Sequence, residues 1–396
     1  MTINSIENKN KVALVVVGYN RLQSIIRLLS SLDRARYTNN DVPLVISIDA
    51  SGDEELYDYV RSYEWNHGEK YVIIRENRLG LKDHIFKCGD LTRYFKAVIL
   101  LEDDLYVSPF FYDYVLQTLS YYQEDNTVAC IGLYSYASNI YVALPFVPLQ
   151  TDYDVYGIQA TITWGECWNG RMWNGFRDWL SHNEPIQWDE LDIPDNVKKF
   201  KKAWSKYFTA YLAVTDRYVI APYKSYSTNF SEAGEHRDKV ENCVQVPLVR
   251  RVEELKFGPV NYLRKYDSFF NPVGLESYMS VSRKDLCVDF YGLRPNNRKC
   301  RYLLTTDILP YKCIRRYALS ERPFEANVID DVIGDGIFLY DLSEHEKNGK
   351  TELNTIQSIS YRLQMFRPAL LKKYLITYTI DKLKNKFKAF FKCVTL

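Results

Sequence analysis

Three adjacent carboxylates, Glu102, Asp103 and Asp104, close an apolar run at residues 97–101. Like charges side by side repel and are costly to desolvate, so a fold that places them at the end of a buried strand needs a cation to neutralise them. Strand alternation puts Glu102 and Asp104 on one face and Asp103 on the other. Magnesium or manganese bound to phosphates needs only one or two protein carboxylates. The triplet therefore predicts a divalent-metal site, and the alternative is an exposed acidic turn.

A second polar group, Tyr19, Asn20 and Arg21, follows Gly18 at the end of another apolar run. A glycine turn before a helix N-terminus puts backbone N–H groups and the Arg21 guanidinium where a phosphate would bind. The dinucleotide fingerprint G-x-G-x-x-G and the P-loop G-x-x-x-x-G-K are both absent at this turn. The segment therefore favours a bound phosphate, and the alternative for Arg21 is a solvated helix residue.

Both groups lie at the ends of predicted strands, as does Asp49. The runs "KVALVVVGYN", "VPLVISIDAS", "KYVIIREN" and "AVILLEDDL" begin at residues 11, 42, 70 and 97. Helical patterns separate them, one capped by Asn20 and a later one by Ser108, with Pro109 at its first position. This alternation predicts an α/β fold with a mostly parallel sheet, whose ligand crevice lies at the carboxyl ends of the strands. There Asp49 would hydrogen-bond a nucleoside, unless it is an Asx-turn residue.

Composition narrows the classes of partner. The 396 residues include 51 Lys plus Arg against 50 Asp plus Glu, a formal charge of +1, so we expect no nucleic-acid partner. The N-terminal residues lack the order of a secretion signal, and the apolar runs are shorter than the roughly 20 residues that span a bilayer. These features predict a cytoplasmic protein.

The order of these motifs resembles the GT-A fold glycosyltransferases, and within them the branch of N-acetylglucosaminyltransferase I and bacterial surface-polysaccharide glycosyltransferases. The resemblance covers residues 11–255 and is most specific in "LLEDDLYVSPFFYDY". The segments "TWGECW" at 163–168 and "YSTNFSEAGEH" at 226–236 look like later segments of that branch. His236 lies where many GT-A enzymes place a histidine on the metal or diphosphate, and the alternative is a surface histidine.

The resemblance implies a role for each polar residue at the predicted crevice. Arg21 would contact the donor diphosphate, and Asp49 would hold the uracil or ribose. Glu102 would contact the donor sugar and Asp103 the ribose. Asp104 would be the sole protein carboxylate on Mn²⁺ or Mg²⁺. The family activity is transfer of a sugar from a nucleotide-diphosphate donor, here a UDP-sugar by expectation, to a hydroxyl of a growing glycan with inversion.

The sequence departs from this branch at the general base. A Trp-Asp pair supplies the base in the family, but here Trp204 is followed by Ser205 and Lys206, neither of which is a ready base at neutral pH. Glu166, which lies between Trp164 and Trp168 at a predicted sugar-stacking surface, or Asp178 would take the role instead. Otherwise the match at Trp204 is displaced, or no side-chain base acts there. The alternative for the two tryptophans is core packing. The missing aspartate leaves open a non-catalytic carbohydrate-binding or scaffold protein. A nucleotidyltransferase is a second alternative, but its usual Gly-rich, Arg/Lys-bearing loop is missing after the first strand.

We predict three regions: residues 1–125 as the nucleotide-sugar-binding half, 126–260 as a loop-rich acceptor half, and 261–396 as a C-terminal extension. Within the extension, residues 321–346 carry a formal charge of −7, whereas 362–396 hold nine lysines and arginines against one aspartate. This basic, partly amphipathic tail predicts peripheral contact with an anionic membrane carrying a lipid-linked acceptor. The alternative is a helix packed on its own domain.

Overall fold

A ten-stranded mixed sheet organises the computed structural model of the chain. The residues described are 8–38, 41–200, 203–230, 244–294, 300–346, 355–363, 375–376 and 379–380. The strands are β1 Asn8–Gly18, β2 Leu44–Ile48, β3 Lys70–Ile74, β4 Phe95–Glu102, β5 Leu105–Val107, β6 Val128–Gly132, β7 Ser138–Asn139, β8 Leu144–Pro145, β9 Val155–Ile158, β10 Glu166–Asn169, β11 Tyr218–Pro222, β12 Ser227–Asn229, β13 Lys265–Tyr266, β14 Pro272–Val273, β15 Leu286–Asp289, β16 Tyr302–Thr305, β17 Tyr311–Tyr317 and β18 Ile337–His345. The helices are α1 Leu22–Asp33, α2 Glu54–Ser62, α3 Leu81–Gly89, α4 Phe111–Tyr122, α5 Gly170–Asn183, α6 Asp195–Lys198, α7 Trp204–Thr215, α8 Phe324–Ile329 and α9 Thr355–Arg362.

The first half of the sheet is parallel, in the order β3-β2-β1-β4. All five residues of β2 are buried, as its continuous apolar run requires of a strand covered on both faces. All four predicted strands are confirmed. The predicted cap of α1 is wrong, because the helix begins one residue later than expected, Arg21 stands at the cap position and Asn20 is exposed. Likewise α4 begins at Phe111 rather than Pro109, and Ser108 Oγ accepts from the Phe110 N–H at 3.1 Å.

The second half of the sheet is mixed. Strand β10 runs antiparallel to both β4 and β6, so β6 is parallel to β4, and β11 is parallel to β6. Strands β9, β13 and β14 complete the edge, two of them following residue 260. The carboxyl ends of β1, β2, β3, β4, β6 and β11 therefore lie along one edge of the sheet. The prediction of an α/β fold on a mostly parallel sheet flanked by helices is confirmed.

Aromatic side chains join the helices of the second half to the sheet. Trp168 on β10 contacts Trp173 of α5, with ring centroids 5.0 Å apart, and Trp204 and Phe208 of α7 at 6.0 and 5.8 Å. All four side chains are buried. Trp168, one of the two tryptophans beside Glu166, is thus a core residue.

The C-terminal extension forms a second sheet in the order β15-β16-β18-β17. The acidic segment 321–346 pairs with basic residues of this sheet: Arg316 contacts Asp335 at 2.9 Å, and Lys312 contacts Glu344 at 2.9 Å. At its junction with the large sheet, Arg294 donates to Asp267 and, at 2.6 Å, to Asp192. Burial raises the pKa of Asp267 to about 6, although Arg294 opposes the shift.

No helix in the described ranges is long and apolar enough to cross a membrane. Most of the predicted tail, residues 362–396, lies outside the described residues. The three-region division and the membrane contact of the tail stay predictions.

Candidate functional site

Arg21 and the three carboxylates Glu102, Asp103 and Asp104, here called the acid cluster, meet at the carboxyl ends of β1 and β4. Two hydrogen bonds join Arg21 to Asp103: Nη2 donates to Oδ1, and Nε donates to Oδ2 at 3.2 Å. Nη1 donates to Asp104 Oδ2 at 3.4 Å. Burial by itself lowers the pKa of Arg21, but the charges of the acid cluster, Asp103 foremost, outweigh it and raise the pKa. The site therefore holds a permanent positive charge beside three acids.

The side chains of the acid cluster do not alternate between the two faces of a strand. We expected Asp103 to point away from Glu102 and Asp104, yet Asp103 and Asp104 contact the same guanidinium. Strand β4 stops at Glu102 and the next two residues form a turn, so the alternation rule no longer applies to them. The prediction of opposite faces is wrong at this point.

A second strand pair holds Asp104 from the other side. Strand β5 pairs antiparallel with β12, which places Asn229 opposite Leu105. Asn229 Nδ2 donates to Asp104 Oδ1 at 2.9 Å, and the Phe230 N–H donates to the Asp104 carbonyl at 2.9 Å. Asn229 was not among the predicted site residues. Its place in the segment 226–236, already singled out by resemblance, was the one signal for it.

Glu102 faces Trp204. The Trp204 side chain hydrogen-bonds Glu102, while burial and the charges of Asp104 and Asp103 raise the pKa of Glu102 to about 8. Arg21 opposes this shift, but a single guanidinium does not balance three acids. Trp204, the position where the family pattern would be followed by a base, here contacts the acid cluster itself.

Asp49 is occupied by backbone. Its Oδ1 accepts from the N–H groups of Ala50 at 3.0 Å and Leu79 at 2.9 Å, and its Oδ2 accepts from Gly80 at 2.8 Å. The residue is 3% exposed. Asp49 therefore fixes the loop between β3 and α3. A contact between Asp49 and a nucleoside stays a prediction. Such a contact would use the lone pairs of the carboxylate that these three hydrogen bonds leave free.

The fixed loop brings Arg78 to the other predicted donor residues. Its guanidinium lies 4.6 Å from the ring centroid of Tyr19, a partly exposed residue directly after β1. Asn20 is exposed beside it. Tyr19, Asn20 and Arg21 thus follow β1 directly, and their role in donor binding stays a prediction. Arg78 is an addition that the sequence did not indicate.

The two predicted bases lie in different surroundings. Glu166 is 1% exposed, its Oε1 accepts from the Ile162 N–H at 2.8 Å, and its buried Oε2 has no partner in the described part of the chain. Burial, with a smaller contribution from Glu102, raises the pKa of Glu166 well above its ordinary value, which favours the protonated carboxyl. Asp178 is exposed on α5, and none of its described contacts involves the acid cluster. The base role of each stays a prediction; His236 lies outside the described residues.

A divalent ion suits this donor set. Among the described residues, no three carboxylate, imidazole or thiol side chains converge as a closed metal site. One carboxylate suffices, however, when phosphate oxygens supply the other ligands. Asp104 is partly exposed and contacts Arg21. The raised pKa of Glu102 is due first to burial and then to the negative charges of Asp104 and Asp103, which a cation would offset. The residues present therefore fit a metal bound together with a diphosphate.

No protein-family model matches the chain, and no curated protein is significantly similar to it. Similar solved structures include residues 1–349 of TarS from S. aureus in complex with UDP-GlcNAc, 15% identical over 57% of this chain and 60% of that chain, with a TM-score of 0.36. GalNAc-T7 with UDP, GalNAc and Mn²⁺ is 14% identical over 55% and 43%, with a TM-score of 0.39. The mannosyltransferase PcManGT from Pyrobaculum calidifontis, in complex with GDP-Man and Mn²⁺, is 12% identical over 43% and 47%, with a TM-score of 0.31. The chain covers less than two thirds of each of them.

Proposed function

We propose that the protein is a metal-dependent glycosyltransferase that moves a sugar from a nucleotide-diphosphate donor, a UDP-sugar, to a hydroxyl of a growing glycan with inversion. The observation that carries the proposal is the meeting of Arg21 with the acid cluster at the carboxyl ends of β1 and β4. In an α/β sheet this edge is where ligands bind. An arginine fork beside carboxylates suits a diphosphate with a divalent cation.

Each residue has a defined task in this proposal. Arg21 binds and orients the diphosphate, and Asp104 holds Mn²⁺ or Mg²⁺. The ion, when bound, supplies Lewis-acid stabilisation of the departing nucleoside diphosphate. Glu102, oriented by the Trp204 side chain, hydrogen-bonds the donor sugar. Asp49 keeps the loop before α3 in place, so that Arg78 and Tyr19 border the nucleoside.

Donor binding tests the proposal directly. Melting curves are recorded with UDP-GlcNAc, UDP and GDP-Man, each with and without Mn²⁺, because a ligand that binds the native state raises the melting temperature. We expect a Mn²⁺-dependent rise that Asp104→Asn abolishes and that Asp58→Asn, an exposed position on α2, retains. An equal rise in the Asp104 variant would contradict the site. Release of pyrophosphate from UTP in the presence of a sugar 1-phosphate would indicate a nucleotidyltransferase, and binding without donor hydrolysis would indicate a scaffold.

The place of action is a further part of the proposal: the cytoplasmic face of a membrane, contacted through residues 362–396, where a lipid-linked acceptor is presented. The charge of this tail supports it, since basic residues near anionic lipid each contribute about 1 kcal/mol. Lys382, Lys384, Lys386 and Lys388 changed together to Gln in the full chain should reduce flotation with phosphatidylglycerol vesicles. Undiminished flotation would remove the tail from the proposal.

A further inference from the structure

Asn229 ends strand β12 and contacts the side chain that we propose as the metal ligand. Its Nδ2 donates to Asp104 Oδ1 at 2.9 Å, although the two residues are 125 positions apart in the chain. Asn229 is buried, with 4% of its surface exposed, whereas the Asp104 side chain keeps 17%. A buried amide therefore holds one oxygen of a carboxylate that a ligand can still reach.

The surroundings of Asn229 fix the amide itself. Strand β12 pairs antiparallel with β5, which begins directly after Asp104. The next residue, Phe230, donates its N–H to the Asp104 carbonyl at 2.9 Å, and the Arg27 guanidinium lies 4.0 Å from the centre of the Phe230 ring. Arg27 belongs to α1, the helix whose cap position carries Arg21. Asp104 is thus held between β12 and α1 through its backbone as well as its side chain.

Each oxygen of the Asp104 carboxylate accepts one hydrogen bond among the described contacts. Asn229 donates to Oδ1 at 2.9 Å, and Arg21 Nη1 donates to Oδ2 at 3.4 Å. The bond from Asn229 is the shorter one, since the other two nitrogens of Arg21 donate to Asp103. A carboxylate offers about four lone-pair sites, so one donor on each oxygen orients its plane and leaves acceptor sites for a cation.

The residue type at position 229 suits this task. An ammonium group in the same place would offset the charge of Asp104 and repel a metal ion, and a further carboxylate would add to the three acids of the cluster. An amide donates a hydrogen bond without a net charge. Asn229 therefore orients the Asp104 carboxylate while its negative charge stays available to a divalent cation.

We propose that Asn229 is a positioning residue for the divalent ion: its amide holds the Asp104 carboxylate in the orientation in which that carboxylate binds the metal. The inference rests on the proposed glycosyltransferase function, in which Asp104 holds Mn²⁺ or Mg²⁺. It adds a residue that acts through Asp104 and not by contact with the donor. Removal of a hydrogen-bond partner behind a metal ligand weakens metal binding about 10- to 100-fold.

Direct measurement of Mn²⁺ binding tests the inference. The full-length protein is titrated with Mn²⁺ in the presence of UDP, and the electron paramagnetic resonance signal of free Mn²⁺ gives the Kd without any turnover. Asn229→Ala should raise this Kd about 10- to 100-fold. Asn229→Leu, which keeps the branched outline of the side chain but lacks the N–H, should do the same and serves if the alanine variant melts early. An unchanged Kd in the folded variants would overturn the inference.

Thr228→Val is the matched control on the same strand. Thr228 Oγ1 accepts from the Val246 N–H at 3.0 Å, so valine removes one hydrogen bond of β12 and keeps the shape of the side chain. This variant should melt at a lower temperature without metal, as Asn229→Ala should, yet change the Kd for Mn²⁺ less than about twofold. An equal loss of Mn²⁺ affinity in the Thr228 variant would show a general loosening of β12 and overturn the inference.

The wild-type titration separates the inference from the proposed function. Wild-type protein that binds no Mn²⁺ with UDP would refute the proposed function, and the inference would fall with it. Mn²⁺ binding that is equal in the wild type and in both Asn229 variants would overturn the inference alone.

Discussion

The substitution Glu166→Gln removes the ionisable proton of a buried carboxyl on β10, the strand next to β4. The glutamine carbonyl can accept from the Ile162 N–H as Glu166 Oε1 does, so the fold is kept and only the ionisable proton is lost. Because burial raises the pKa of Glu166 far above the ordinary 4.5, the folded chain keeps a proton that the unfolded chain releases. A group of this sign stabilises the fold fully below pH 4.5 and loses that contribution as the pH rises toward its folded pKa. The loss is about 1.4 kcal/mol per pH unit, which amounts to about 2.5 kcal/mol between pH 5 and pH 7 where the folded pKa lies above that range.

Urea unfolding of the wild type and of Glu166→Gln at pH 5, 6 and 7 measures this difference. The free energy of unfolding of the wild type should fall relative to the variant by about 2.5 kcal/mol over the range, since the other ionisable groups are common to both chains. Glu124→Gln, at an exposed position, is the control and should follow the wild type at every pH. Parallel curves for the wild type and Glu166→Gln would show an ionised Glu166 and refute the reasoning.

The same variant addresses the general base. A neutral carboxyl that is closed to solvent cannot take a proton from an acceptor, so Glu166→Gln should keep Mn²⁺-dependent donor hydrolysis within a few-fold of the wild type. If Glu166 is the base, the rate should fall by a factor on the order of 10² to 10⁴. Melting curves of the two chains at the assay pH control for folding.

Three further substitutions test other parts of the structure. Arg21→Lys removes the planar guanidinium that donates two hydrogen bonds to Asp103. It should weaken UDP binding in the presence of Mn²⁺ about 10-fold, measured by calorimetric titration, and leave the melting temperature unchanged. Equal affinity of the variant and the wild type would contradict the diphosphate role. Asp49→Ala leaves three backbone N–H groups without their acceptor, so the free energy of unfolding measured in urea should fall by about 3 kcal/mol. Amide hydrogens in the loop before α3 should also exchange faster. Slow exchange there would show that other contacts hold the loop. Arg294→Ala should lower the free energy of unfolding by about 3 kcal/mol, and by more at pH 8 than at pH 5. Without Arg294 the already raised pKa of Asp267 rises further, so that ionisation of Asp267 at pH 8 opposes folding. A loss that is independent of pH would contradict the pairing.

The sequence was sufficient for the strands that carry the site. Continuous β-branched runs predicted β1 to β4, and the polar residues at the ends of β1 and β4 predicted that Arg21 and the acid cluster lie together. This works because the carboxyl ends of parallel strands lie at one edge by construction. Local capping was predicted less well: an asparagine before a helix is a frequent cap, but here Asn20 is exposed and Arg21, drawn toward Asp103, occupies the cap position.

Contacts between segments that are far apart in the chain could not be predicted from the sequence. Trp204 and Asn229 reach Glu102 and Asp104 across more than 100 residues of chain, through α7 and through the pairing of β12 with β5. No periodicity encodes such pairings, since they depend on how the second half of the sheet closes onto the first. The same holds for Glu166: the two tryptophans that flank its segment suggested a sugar-binding surface, whereas β10 is the strand inserted between β4 and β6.

Charge balance links the acid cluster to its proposed ligand. One guanidinium faces three carboxylates. Arg21 pairs with Asp103, while burial and then the charges of Asp104 and Asp103 raise the pKa of Glu102 to about 8. A diphosphate alone would add negative charge to this edge, and it would compete with Asp103 for the same N–H groups of Arg21. A divalent cation at Asp104 removes both difficulties, because it offsets the added charge and lets the phosphate oxygens share Arg21 with the acids. The arrangement therefore favours a donor that arrives with its metal over either component alone.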